Sequence, residues 1–99
     1  MKDFLGNELV EGDYVSYVVR HGSSVYLHVG EVVGYKLCDV YGKAVYKLQA
    51  ICAEKEYNKW RLLKCGKPIT LYNPTIVRVP SFEIPLELSD LFTEASVSL

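Results

Sequence analysis

What most restricts the fold of this chain is the way its apolar residues are punctuated. Between Tyr14 and Val79, β-branched and aromatic residues come in short runs with a period of two, and Gly, Asn, Asp or Pro interrupts them. Successive side chains of a strand point to opposite faces, so such runs read as strands and not as helices. The clearest is Lys43 to Ala53, where Ala44, Tyr46, Leu48, Ala50 and Cys52 share one face and Lys43, Lys47 and Gln49 the other. Tyr14 to Arg20 makes a first strand with Val15, Tyr17 and Val19 together. Val25 to Leu37 is apolar on both alternations. A flat strand of that length would bury Glu31, so a bend or bulge is expected near Gly30 or Gly34.

The breaks between runs give the connections. His21 to Ser24 and Asp39 to Gly42 read as turns. With Glu54-Lys55-Glu56 as a three-residue loop, Ala53 pairs with Tyr57. Trp60 and Leu62 then join the face of Leu48 and Ala50, and Lys59 and Arg61 lie outside beside Lys47 and Gln49. After Gly66-Lys67-Pro68, residues 69–72 form a short edge piece, and Asn73-Pro74 turns into a fifth strand, Thr75 to Val79, which Pro80 ends. Ahead of the strands, Asp3 to Asp13 reads as a loop with turns at Gly6-Asn7 and Glu11-Gly12-Asp13, tucking Leu5 and Leu9 against the body.

A chain of 99 residues sustains one hydrophobic core, and with eight Tyr and nearly half its residues apolar it needs no metal or disulfide to close it. From Ser81 the pattern changes. Leu88, Leu91, Phe92 and Ala95 recur at helical spacing behind Pro85, with Glu83, Glu87, Asp90 and Glu94 on other faces and the last four residues frayed. The expected architecture is all-β: a small, strongly bent barrel of five strands over residues 1–80, then an acidic appendage over 81–99 that forms a short amphipathic helix.

The segments Asp3-Phe4-Leu5-Gly6-Asn7-Glu8-Leu9, Gly12-Asp13-Tyr14-Val15-Ser16-Tyr17, Gly30-Glu31-Val32 and Asn73-Pro74-Thr75-Ile76-Val77-Arg78-Val79 together resemble small Src-homology-3-like or KOW-like barrel proteins common in tailed bacteriophages. The resemblance spans about the first 80 residues. It implies the barrel fold, a phage origin, and binding of protein or nucleic acid.

No enzyme is expected. There is no G-x-S-x-G element, and Gly30 to Lys36 lacks the Gly-Lys-Ser/Thr ending and the strand-to-helix setting of a phosphate loop. His21, Ser23 and Ser24 belong to a solvated turn and His28 to a strand. Cys38, Cys52 and Cys65 are odd in number and never paired as C-x-x-C, so free thiols in a reducing cytoplasm are expected, with no metal and no cofactor. The N-terminus is not that of a signal peptide, and no apolar run approaches a membrane span.

Two features point to partners. Lys43, Lys47, Lys59 and Arg61 form a candidate binding face among tyrosines, a pattern suited to single-stranded nucleic acid and equally to a solvated sheet. Leu88, Leu91 and Phe92 form a stripe expected to pack on the chain's own barrel or on a second copy, with a foreign partner as the candidate alternative. Residues 1–80 carry eleven basic and eight acidic side chains, net +3, whereas residues 81–99 carry four acids and no base, net −4. The near-neutral total argues against a domain held on nucleic acid by a large positive field. The expectation is a cytoplasmic binding module that contacts a host or phage protein, with a homo-oligomer also open and a KOW-like nucleic-acid binder as the alternative.

Overall fold

The computed structural model describes residues 1–72 and 75–98. Among the described residues six strands make one antiparallel sheet: β1 (Tyr14–His21), β2 (Ser24–Val40), β3 (Lys43–Glu56), β4 (Lys59–Leu62), β5 (Ile69–Leu71) and β6 (Val77–Val79). The order is β4-β3-β2-β1-β6, and β5 pairs with β3 at Leu48 to Ala50, below the stretch that β4 occupies. Helix α1 (Leu86–Ser98), the one α-helix among the described residues, follows a short 3-10 turn at Ser81–Glu83. The all-β expectation holds, as an open sheet of six strands; residues 69–71 are a full ladder strand. The expected Asn73-Pro74 turn lies outside the described residues.

β2 is continuous over its length because one residue is added to it. Its register with β3 shifts between Val32 and Gly34, and Gly34 has φ 153°, which a side chain would strain. Of the two glycines expected to mark the bend, Gly34 is the one. Gly30 serves packing instead: a Cβ there would stand 3.2 Å from both Ala50 Cβ and Cys52 Sγ.

The sheet is buried on both sides at its centre. On one side Val15, Tyr17, Val32, Leu48, Ala50 and Cys52 meet Leu9, Leu71 and Ile76. Because β5 and the residue leading into β6 lie at opposite ends of the sheet yet share this cluster, the sheet is strongly curled. On the other side Val29, Ile51 and Ala53 receive Leu88, Phe92 and Ala95 of α1, with Tyr14, Trp60 and Leu62 around them. Burial of Leu88 and Phe92 contributes about 1.5–3 kcal/mol each, which holds in place a 13-residue helix that would be marginal alone. The helix runs through Ser98; Leu99, the last of the four residues expected to fray, lies outside the described residues.

Two expectations are corrected here. The β3–β4 turn is Tyr57-Asn58, and Ala53 pairs with Leu62, not with Tyr57. Trp60 and Leu62 therefore face the helix, on the side opposite Leu48 and Ala50. Charge selects this register: it sets Glu54 opposite Arg61 and Glu56 opposite Lys59. At the N-terminus Leu9 is buried but Leu5 is exposed, because the loop is anchored by a side chain other than Leu5. Asp3 accepts from the backbone N–H groups of Leu5 (3.0 Å), Asn7 (2.7 Å) and Arg78 (2.7 Å) and from the Asn7 amide (3.1 Å).

Candidate interaction surface

Beyond the bulge, the far halves of β2 and β3 leave the rest of the molecule. β1 pairs with β2 only as far as Glu31, and the N–H and C=O of Val32 are taken by Asp13 and Gly12. β5 pairs along β3 from Ala50 only as far as Leu48. From Tyr35 to the tip the two strands pair with each other, Tyr35 with Leu48 through Val40 with Lys43, and form an arm.

Paired residues share a face, so the arm has two sides of different chemistry. One carries Tyr35, Leu37 and Asp39 opposite Leu48, Tyr46 and Ala44. It continues the inner core outward into solvent: Leu48 is fully buried, whereas Leu37 is 57% and Tyr46 67% exposed. The Tyr35 hydroxyl donates to the Leu9 carbonyl and so ties the base of the arm to the N-terminal loop. Tyr41 at the tip is 100% exposed with φ 51°, beside Gly42 with φ 79°. A non-glycine residue in that left-handed conformation costs about 1–2 kcal/mol, and a ring wholly in water returns nothing to the fold.

The other side carries Lys36, Cys38 and Val40 opposite Lys47, Val45 and Lys43. Lys36 and Lys47 stand directly across from each other, a destabilising arrangement of like charges. The Lys47 ammonium lies 5.2 Å from the centre of the Tyr72 ring. Cys38 Sγ is 3.9 Å from the Tyr72 hydroxyl, and that contact, first among the causes, raises the Tyr72 pKa. Lys47, Tyr72 and Phe4 also line a cleft of about 260 Å³ between the N-terminal loop and β5.

The four-cation face expected from sequence is divided. Lys43 and Lys47 lie on the arm. The β3–β4 register sends Lys59 and Arg61 to the opposite face, beside Glu56 and Glu54, roughly 30 Å further along β3 at about 3.3 Å per residue. Arg61 is also neutralised there, with Glu54 at 2.9 Å and Glu56 at 3.2 Å. Its hydrogen bond to Glu54 raises the guanidinium pKa and lowers that of the carboxylate, which His28 also contacts at 3.1 Å. Of the apolar stripe, Leu88 and Phe92 are fully buried against the chain's own sheet and Leu91 is half-buried. The stripe is occupied within the molecule.

Tyr17, Cys52 and His28 make the main polar group of the interior. The Tyr17 hydroxyl donates to Cys52 Sγ at 3.2 Å, and the His28 ring meets the Tyr17 ring edge-on at 5.3 Å. Burial raises the pKa of both the phenol and the thiol, so Cys52 is a neutral thiol and not a nucleophilic thiolate. Among the described residues no three His, Cys, Asp or Glu side chains are placed to hold a metal ion, and no helix is long and apolar enough to cross a membrane.

Sequence reasoning missed Lys36, Tyr35, Leu37, Tyr41 and Tyr46 as a surface. Past Gly34 only one alternation of β2 is apolar, Tyr35 and Leu37, and in the sequence it reads the same as a core face.

Fold and surface together define a small, curled antiparallel sheet with one helix on its back and a projecting, aromatic hairpin. The chain belongs to the family described as a domain of unknown function (DUF7205), whose model matches residues 1–66, from the N-terminal loop through β4. No curated protein and no solved structure matches it.

Proposed function

We propose that this protein is a small, non-catalytic binding module, a phage-encoded Src-homology-3-like barrel, that acts by protein–protein contact in the bacterial cytoplasm through the β2–β3 arm. The observation that carries this reading is the row Tyr35, Leu37 and Tyr46, with Tyr41 at the tip, left exposed on a projecting ribbon. Exposed apolar patches mark interaction sites, and tyrosine is enriched among the residues that dominate binding energy. The curl of the sheet around Leu48 supports the barrel-like reading. Capture from nuclease-treated bacterial lysate tests it: one stoichiometric protein should be retained by the native chain and lost with Tyr41→Ser and Tyr46→Ser. Retention unaffected by both substitutions overturns it.

One observation favours a second reading, a KOW-like nucleic-acid binder. The opposed Lys36 and Lys47, with Lys43 on the same side and the Tyr72 ring beneath Lys47, offer cations for phosphates and a ring for a base. This version keeps Lys43 and Lys47 of the sequence-derived face and drops Lys59 and Arg61. It requires single-stranded DNA or RNA binding that weakens steeply with salt and falls with Lys47→Ala.

A further inference from the structure

Resting on the reading that the arm is a contact surface, we propose that its free β2 edge pairs with a second copy of this chain, so that two arms form one four-stranded antiparallel sheet about a two-fold axis and present their apolar row jointly.

The outer edge of β2 is used only in part. Ser24 to Glu31 pair with β1, and Val32 bonds to Gly12 and Asp13. From Gly34 to Val40, among the described residues, no strand pairs with that edge and no backbone bond to it is made. Alternate N–H and C=O groups of those residues point away from β3, and another strand is the partner that satisfies such a row. A two-stranded ribbon is also marginal in water, and stability comes with three or more strands and an apolar face.

The side chains make this edge complementary to itself. A two-fold axis perpendicular to a sheet runs the strands antiparallel and keeps like faces together, so each residue meets one of its own alternation. Centring the axis on Lys36 would oppose two lysines. Centring it on Cys38 would set Leu37 against Asp39. Centring it on Leu37 opposes Leu37 to its own copy, Tyr35 to Asp39, and Lys36 to Cys38. No like charges then meet across the new edge. Because Leu37 already pairs with Tyr46 within each chain, the join creates one apolar row across four strands, Tyr46-Leu37-Leu37-Tyr46. A row that is half-exposed in the monomer becomes the centre of an interface.

Sedimentation of the full chain over a range of concentrations tests the pairing. A reversible dimer is expected, and Leu37→Lys, which places two lysines at the axis, should weaken it by about tenfold or more. Leu37 is exposed, so that variant should keep its circular dichroism and melting temperature as a monomer. In a Cys38→Ser, Cys65→Ser background, Leu37→Cys should be joined into a dimer by a short thiol-to-thiol crosslinker, whereas Tyr57→Cys at the β3–β4 tip should not. A monomer at all concentrations, or a dimer indifferent to Leu37→Lys, overturns the pairing. If that monomer still captures a lysate protein through Tyr41 and Tyr46, the binding-module reading stands without it; if capture ignores the arm, both fall.

Discussion

β3 passes through two environments without leaving one strand. From Ala50 to Ala53 every residue is buried, the even positions in the inner core and the odd ones under α1. From Lys43 to Tyr46 none is buried. The two stretches share a backbone and a partner strand, and they differ in what covers them. Helix and curled sheet close over the first; the second extends past both. The base of the β2–β3 hairpin therefore carries the stability of the molecule, and the arm is free to carry contacts that the fold does not require.

The strongest way to break this comparison is to uncover the base. Deleting residues 84–99 should cost at least about 3–6 kcal/mol from the loss of Leu88 and Phe92 alone, seen as a large fall in melting temperature with apolar dye binding at the bared face. Phe92→Ala should cost about 3–5 kcal/mol, since the ring is fully buried. Tyr46→Ala on the arm of a monomer should stay within about 0.5 kcal/mol, as exposed substitutions do. Equal losses from Phe92→Ala and Tyr46→Ala in urea unfolding would show that the arm is part of the core.

A smaller effect, tied to pH, sharpens the boundary between base and arm. The N–H of Arg78 first, then the amide and N–H of Asn7 and the N–H of Leu5, hold the Asp3 carboxyl down at about 2. Its folded pKa lies below the unfolded value near 3.8, so the stabilisation is complete above about pH 4 and disappears as pH falls toward 2. Stability should therefore decline over that window. Asp3→Asn should flatten this part of the decline and lower stability at pH 7, because an amide oxygen accepts fewer of these bonds and its NH₂ faces other donors. An unchanged acid profile in the variant would release the N-terminal loop from any role in fixing β6.

Much of the base was legible and little of the surface was. Val15 and Tyr17, the β2 bulge, the Leu48-Ala50-Cys52 face and the Leu88-Phe92-Ala95 stripe follow from periodicity, because burial imposes periodicity. The second face of β3 was also written, as the unbroken apolar run Ala50-Ile51-Cys52-Ala53, a sign of a strand covered on both sides. The β3–β4 register was missed because hydrophobic alternation fits either phase of Trp60 and Leu62; the opposed charges about Tyr57-Asn58 choose between them. That five-residue shift in pairing moved Lys59 and Arg61 to the other face and dissolved the four-cation surface. Exposed residues obey no packing rule, so Tyr35, Leu37 and Tyr46 became recognisable as a group only once the bulge had placed them on the arm.

The smallest effect bears on the tip. A two-residue hairpin turn with both residues at positive φ favours Asn-Gly, and this arm turns on Tyr41-Gly42. Tyr41→Asn should therefore stabilise the monomer by roughly 0.5–1 kcal/mol, since Asn enters the left-handed region at lower cost and the ring loses no contacts. If the tip contributes to binding, the same substitution weakens capture of the partner while the protein becomes more stable, a pairing of signs that general damage to the fold cannot produce. Tyr57, with φ 57° and nearly full exposure at the β3–β4 tip, is the internal control: Tyr57→Asn should give the same gain in stability with capture unchanged. Loss of capture in both variants would assign the contact to exposed tyrosines in general, and loss in Tyr41→Asn alone would assign it to the arm.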